Sequence, residues 1–211
     1  MKAVSDRTTL RRLPARGVHD QDEINKILDE GLICHLAFLI DGKPAIIPTG
    51  YARDGEWLYI HGSKKNRAML ACIGQECSVD VTILDGIVLA RSAFHHSFNY
   101  RSVIIYGVGE EVTDEAEKMR AFERVVEHIV PGRAADCRLP NEKESNATLL
   151  IKIPITEASA KVRTGPPKDD DEDMNLPHWA GVLPVRDQWG PAVADSDHDE
   201  PGYVSAYRRP A

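Results

Sequence analysis

Residues 61–67, His-Gly-Ser-Lys-Lys-Asn-Arg, set three cations within four positions of a 211-residue chain. They follow a strand-like run, Glu56 to Ile60, and lead into an apolar-periodic stretch with Ala68, Met69, Leu70 and Ile73. Ser63 has the side chain of a helix N-cap, which would put Lys64, Lys65 and Arg67 in the first turn. The helix dipole favours negative charge at that end, and three cations without an acid run against it. A bound anion reverses this penalty, because free backbone N–H groups and cationic side chains then converge on it. Two readings follow, a phosphate cradle or a solvated basic turn.

Other cations recur at strand ends. Arg91 and Arg101 bracket the polar, aromatic stretch Ser92 to Tyr100, and Lys161 and Arg163 come after an apolar run that reads as the last core strand. A cation beside apolar strand residues needs a partner. Asp80 or Asp85 could serve, or an anionic ligand. His95 and His96 are adjacent, so on a strand they point to opposite faces and cannot chelate one metal together. Gly107-Val108-Gly109 lacks the third glycine of a dinucleotide fingerprint, and no P-loop, GxSxG or HExxH pattern occurs. No carboxylate pair stands out for acid–base work, and no nucleophile has a base beside it, so the catalytic residues stay unassigned. The pattern is that of binding a phosphorylated molecule that brings its own chemistry.

Charge is unevenly placed. Residues 165–211 hold ten acids against four bases (Lys168, Arg186, Arg208, Arg209), so that stretch carries −6 of the net −7 and the body is close to neutral. No basic face for nucleic acid is indicated. Cys34, Cys72, Cys77 and Cys137 show neither CxxC spacing nor a disulfide framework, and no metal site is expected. Reduced thiols, the absence of a membrane-length apolar run and the absence of a signal-peptide core make a cytoplasmic protein the expectation.

These residues need a scaffold. Residues 1–18, with Arg7, Arg11, Arg12 and Arg16, read as an extended arm, residues 19–164 as one folded domain and residues 165–211 as an irregular acidic extension in which Trp179 and Trp189 pack on something, a partner subunit being one candidate. Asp20 to Gly31 reads as a short helix with Asp20 as cap, Glu23 at the capping-box position, a stripe of Ile24, Ile27 and Leu28, and Gly31 as stop. Ile33–Ile40, Pro44–Arg53 and Glu56–Gly62, joined by Asp41-Gly42 and Asp54-Gly55, read as a three-stranded meander. A helix near 66–73 follows, then strands Ser78–Leu84 and Ile87–Ala90 around Asp85-Gly86. Tyr100–Val112 is a longer strand with Gly107 and Gly109 permitting a bulge or bend. A helix spans about Asp114 to Val130, with Met119, Phe122, Val126 and Ile129 on one face, and Thr148–Ile155 is the last core strand. Sequential hairpins with few helices predict a mainly β protein, a closed antiparallel barrel with helical additions.

Four segments occur in a recognisable order and spacing: GKPAIIPTGY (42–51), LYIHGSKKNR (58–67), LDGIVLARSAFHHSFNYRSV (84–103) and KVRTG (161–165), with RRLPARGVHD near the start and WAGVLP at 179–184. Together they resemble the pyridoxamine 5′-phosphate oxidase-like flavoproteins, in the branch near nitroimidazole-resistance and flavin-nucleotide-binding proteins. The resemblance covers about residues 10–185. It implies an antiparallel, Greek-key-like, FMN-binding split β-barrel with a few peripheral helices, working as a homodimer with two flavins at the subunit interface. Carried over, Ile47, Pro48, Thr49, Gly50 and Tyr51 run along the isoalloxazine ring. His61, Gly62 and Ser63 lie beside the ribityl chain and phosphate, and Lys64 and Arg67 bind the phosphate. Tyr100 and Ser102 reach the flavin from the other subunit, and Lys161 and Trp179 sit near the rim. The C-terminal Trp/Arg-rich pattern with which true pyridoxamine phosphate oxidases hold their substrate is not found, which argues against vitamin B6 oxidation.

The expected activity is an FMN-dependent oxidoreduction, with NADH or NADPH as donor and a nitro-aromatic or quinone-type small molecule as acceptor. The alternatives are a flavin store or sensor without turnover, and a haem-binding split barrel with His35, His95, His96 or His128 as axial ligand.

Overall fold

The structure is a computed structural model that describes residues 4–195 and 197–206; residues 1–3 of the arm, and Arg208 and Arg209 of the tail, lie outside the described residues. A 3-10 turn over Pro14–Arg16 leads into the short strand β1 (Gly17–Val18) and then α1 (Gln21–Glu30). Asp20 caps α1 by accepting from the Asp22 and Glu23 N–H groups at 3.1 and 3.3 Å. The Glu23 carboxylate bonds Lys26 at 2.6 Å rather than reaching back to the cap. Ile24, Ile27 and Leu28 are buried as their spacing predicts. Gly31 ends the helix in an extended conformation, so left-handedness is not why glycine is there. A Cβ at this position would lie 2.4 Å from Val81 Cγ1 and 2.7 Å from the Tyr51 hydroxyl.

Next come β2 (Ile33–Ile40) and β3 (Lys43–Gly50), joined by Asp41-Gly42 with φ of 51° and 73°, the two positive values a type I′ hairpin requires. The expected strand Pro44–Arg53 breaks at Tyr51 into β3 and β4 (Ala52–Asp54). The Tyr51 ring is 1% exposed and its hydroxyl donates to Leu28 O at 2.6 Å, so the chain turns inward there and changes sheets. The meander is therefore split: β3 stays on β2, while β4 pairs with β5 (Trp57–Ser63). After α2 (Arg67–Cys72), one 14-residue strand, β6 (Glu76–Leu89), replaces the two expected, and Asp85-Gly86 is a bulge within it rather than a turn.

β7 (Ser97–Val108) and β8 (Glu110–Glu111) divide at Gly109, where a Cβ would meet Cys72 O at 2.6 Å. α3 (Glu115–Ile129) is capped by Asp114, but its buried stripe is Lys118, Ala121, Phe122 and Val125; Ile129 is 51% exposed. The remaining elements are α4 (Glu142–Ala147), β9 (Thr148–Pro154), β10 (Glu157–Arg163), β11 (Gly181–Pro184) and α5 (Gly202–Ser205). Thus β9 is not the last strand of the body, and Lys161 and Arg163 lie within β10 rather than after the sheet. The tail contributes β11, which pairs with the second half of β6, while Trp179 and Trp189 are 66% and 47% exposed.

The first sheet runs β1-β10-β7-β6-β2-β3 with β11 added to β6, and the second runs β4-β5-β9-β8. All ladders between named strands are antiparallel and neither sheet closes on itself, which corrects the closed barrel. Alternation puts Leu36, Val79, Val81, Val103 and Ile105 of the first sheet against Leu58, Ile60, Ile151 and Ile153 of the second, with Ile27, Leu28 and Met69 closing the core. Among the described residues, no helix is long and apolar enough to cross a membrane.

Candidate functional site

The basic turn connects β5 to α2, and its geometry differs from the sequence expectation at one residue. Asn66, not Ser63, is the cap: its side chain accepts from Ala68 N–H at 3.0 Å. Ser63 is the last residue of β5, paired with Thr148, and its hydroxyl accepts from Lys65 N–H at 3.2 Å. Gly62 is required because α2 folds back over the strand end; a Cβ there would lie 2.6 Å from Met69 Sδ. Lys64 and Lys65 therefore precede the helix and Arg67 is its first residue, with no acid in the first turn.

All three cations are exposed, and none has an ion pair or side-chain hydrogen bond with the described residues. Three neighbouring cations without a carboxylate are free to meet an anion. His61 is exposed by surface area, yet enough atoms crowd its imidazole that desolvation lowers its pKa below the usual histidine range.

The second group of expected residues lies on the first sheet. Lys161 is opposite Ser102, whose hydroxyl donates to Lys161 O at 3.5 Å, and Ser102 is opposite Thr82. Tyr100, Ser102 and Lys161 alternate with core residues, so they occupy the face turned away from the core. Pro48 shares that face, in register with His35, Asp80 and Ile104 on successive strands. Ile33, Leu39, Ile46, Leu84 and Ile104 also point outward there and are 39–62% exposed.

Ile47 is opposite the buried Leu36 and packs on the core, and Thr49 is opposite buried Cys34. Tyr51 is inside the core, its side chain unavailable to a surface ligand. Within one chain, β3 and β7 are separated by β2 and β6, about 14 Å for three strand spacings. Pro48 and Ser102 therefore stand apart within a single copy.

The arginines expected to need partners are resolved differently from one another. Arg101 binds Glu30 and Asp85, joining α1 to the β6 bulge. Arg91 binds Asp169 at 3.0 Å, and the Arg91 and Ser92 N–H groups donate to the same carboxylate. Burial alone would raise the Asp169 pKa; the Ser92 and Arg91 hydrogen bonds outweigh it and lower it. His95 Nε2 lies 3.1 Å from Asp170, and His96 Nδ1 lies 3.0 Å from Ser92 O. The acidic tail thus pins the Ser92–Tyr100 stretch, a role that composition alone did not reveal.

Of the other histidines, His128 Nε2 lies 2.8 Å from Gly31 O and its ring packs on Tyr51. His35 is exposed, its Nδ1 is 3.9 Å from the Asp80 carboxylate, and its Nε2 makes no hydrogen bond to the described residues. A cavity of about 970 Å³, which the sequence did not indicate, lies between α1, α3 and α5 and is lined by Ile27, Glu30, Arg101, His128 and Tyr203. Of the residues singled out from the sequence as flavin contacts none lines it, whereas His128, one of the candidate haem ligands, does.

The family model described as pyridoxamine 5′-phosphate oxidase matches residues 20–162. No match was found among curated proteins. Among solved structures, the flavocytochrome Anf3 of Azotobacter vinelandii is 38% identical, with a TM-score of 0.93 over 99% of both chains. The FAD and haem binding protein of Mycobacterium smegmatis is 33% identical, with a TM-score of 0.86 over 90% of this chain and 96% of that one. A protein of Bacteroides thetaiotaomicron described as a candidate 5-nitroimidazole antibiotic resistance protein is 19% identical, with a TM-score of 0.56 over 69% of this chain and 86% of that one, a likeness of fold alone.

Proposed function

The chain belongs to the pyridoxamine 5′-phosphate oxidase family, and from that premise we propose that it is a flavin-binding redox protein that also takes a haem. The observation that carries this is the likeness to a flavocytochrome over 99% of both chains, which includes the arm and tail that lie outside residues 20–162. The residues present fit the cofactor. Lys64, Lys65 and Arg67 are cations without carboxylates, suited to a flavin phosphate, and the outward apolar face of the first sheet suits a flat ring. FMN is what the family resemblance implies, and FAD is what the Mycobacterium smegmatis protein is described as binding; both carry the phosphate that this turn would hold.

A flavin supplies the hydride and electron chemistry that no side-chain constellation here offers. The chain's own part is to hold the phosphate, cover the ring and exclude water. A second copy of the chain would bring Tyr100, Ser102 and Lys161 of one protomer to Pro48 and the basic turn of its partner. Among the histidines weighed as haem ligands, His35 fits best: its Nε2 makes no hydrogen bond to the described residues, the Asp80 carboxylate stands behind Nδ1, and Pro48 lies opposite it on β3. Haem is favoured as electron acceptor over a nitro-aromatic or quinone because both whole-length likenesses are to proteins described as flavocytochrome or haem binding.

The test is an anaerobic visible spectrum of the purified protein, supplied with flavin and hemin, before and after NADH or NADPH. Bleaching of the flavin band followed by a reduced-haem spectrum is the expected result. Flavin bleaching without haem uptake would favour the small electron acceptor, and an unbleached flavin would favour a store or sensor. Failure to take up either cofactor would overturn the reading.

A further inference from the structure

Arg53, Arg91 and Arg101 each meet a carboxylate, at 2.6, 3.0 and 2.8 Å. Arg163 is more buried, only 6% exposed, and meets none. Its Nη1 donates to Asn99 Oδ1 and, at 3.4 Å, to Gly165 O; its Nη2 donates to Pro166 O at 3.4 Å. Its Nε is one of two buried side-chain nitrogens among the described residues without a partner, the other being His19 Nδ1. Neutral oxygens, two of them distant, are a poor return for burying a guanidinium, whose charge calls for an anion in good geometry.

The surroundings add positive charge rather than remove it. Lys161 is two residues back on the same side of β10, about 7 Å along the strand. Arg16 closes the 3-10 turn just before Gly17, and Gly17 is the register partner of Lys161. Neither Lys161 nor Arg16 has an ion pair among the described residues. The nearby acids are already committed: Glu157 to Arg7, Asp169 to Arg91, Glu30 and Asp85 to Arg101. Desolvation, reinforced by Arg16, lowers the Arg163 pKa, the response of a cation that lacks a counter-charge.

We propose that Arg163, Lys161 and Arg16 form an oxyanion site, built from residues other than those of the β5–α2 turn, that takes the phosphate or carboxylate group of a small ligand. The guanidinium fork supplies directed donors, and the two flanking cations supply field. Lys161, which the resemblance set at the rim of the flavin site, thereby gains a stated task. The proposal rests on the uncompensated charge and stands independently of what occupies the basic turn.

The experiment is a thermal-unfolding titration of the full-length protein with inorganic phosphate against chloride at equal ionic strength. Wild type and Arg67→Ala should both be raised by phosphate. In Arg163→Gln the apparent phosphate affinity should fall about tenfold or more, and Arg16→Gln should weaken it as well. If Arg163→Gln does not fold, Arg16→Gln and Lys161→Gln carry the same test. Acetate separates the ligand sources: a response to phosphate alone marks a phosphorylated ligand, and a response to both marks a carboxylate as well.

Phosphate no more effective than chloride would overturn the site. So would a response that survives in the Arg163, Arg16 and Lys161 variants, or one abolished only by Arg67→Ala. A protein that takes up no flavin but keeps the Arg163-dependent response would sink the flavin reading and leave this site standing.

Discussion

Asn66 and Ser63 show how a residue's role is set by its neighbours' geometry. Both side chains can cap a helix, and only the length of β5 and the close approach of Met69 at Gly62 give the position to Asn66. The three cations were legible because charge type needs no coordinates. Tyr51 was not: an aromatic at a strand end suits a ligand ring and a core equally, and here its hydroxyl is satisfied by Leu28 O. Cys34 is a buried thiol, and burial pushes its pKa up to about 12. Because the folded value is raised, the associated stability is fully present below the unfolded thiol pKa of about 8.5 and is lost as pH climbs from there toward the folded value. At neutral pH, iodoacetamide should therefore label half-buried Cys137 well before Cys34, as read by mass spectrometry of the native protein. Equal labelling rates would contradict the burial.

Elements were legible where local chemistry decides them and illegible where packing does. Asp41-Gly42 announces its hairpin, and α1 announces its stripe. The Asp85-Gly86 pair carries the same hairpin signature but is held extended as a bulge, since β11 from the tail and β7 pair on either side of Gly86. No property of the dipeptide foretells that a strand 95 residues onward will lie against it. The split at Gly109 has the same character: the glycine was noticed, but its reason is the Cys72 carbonyl 2.6 Å from a would-be Cβ. Backbone cannot yield as a flexible side chain does, so Gly109→Ala should destabilise the fold by about 1–3 kcal/mol in urea unfolding. An unchanged midpoint would show that β7 and β8 can separate without that close approach.

At the scale of the whole molecule, the antiparallel, mainly β architecture and the family were readable, because hairpin order and long motifs survive in the sequence. The arrangement as two open sheets was not, since it turns on the inward step at Tyr51. The apolar outward face of the first sheet, and the separation of its site residues into two groups, also emerge only with the strand register. These features lead to one central claim, that the basic turn holds the phosphate of a flavin. The most direct measurement is a titration of flavin-free protein with FMN, comparing wild type with Arg67→Ala. A charge-assisted bond to phosphate predicts binding by wild type and a loss of about 1.5–3 kcal/mol in the variant. Equal affinities, or no binding by the wild type to FMN or FAD, would contradict the account.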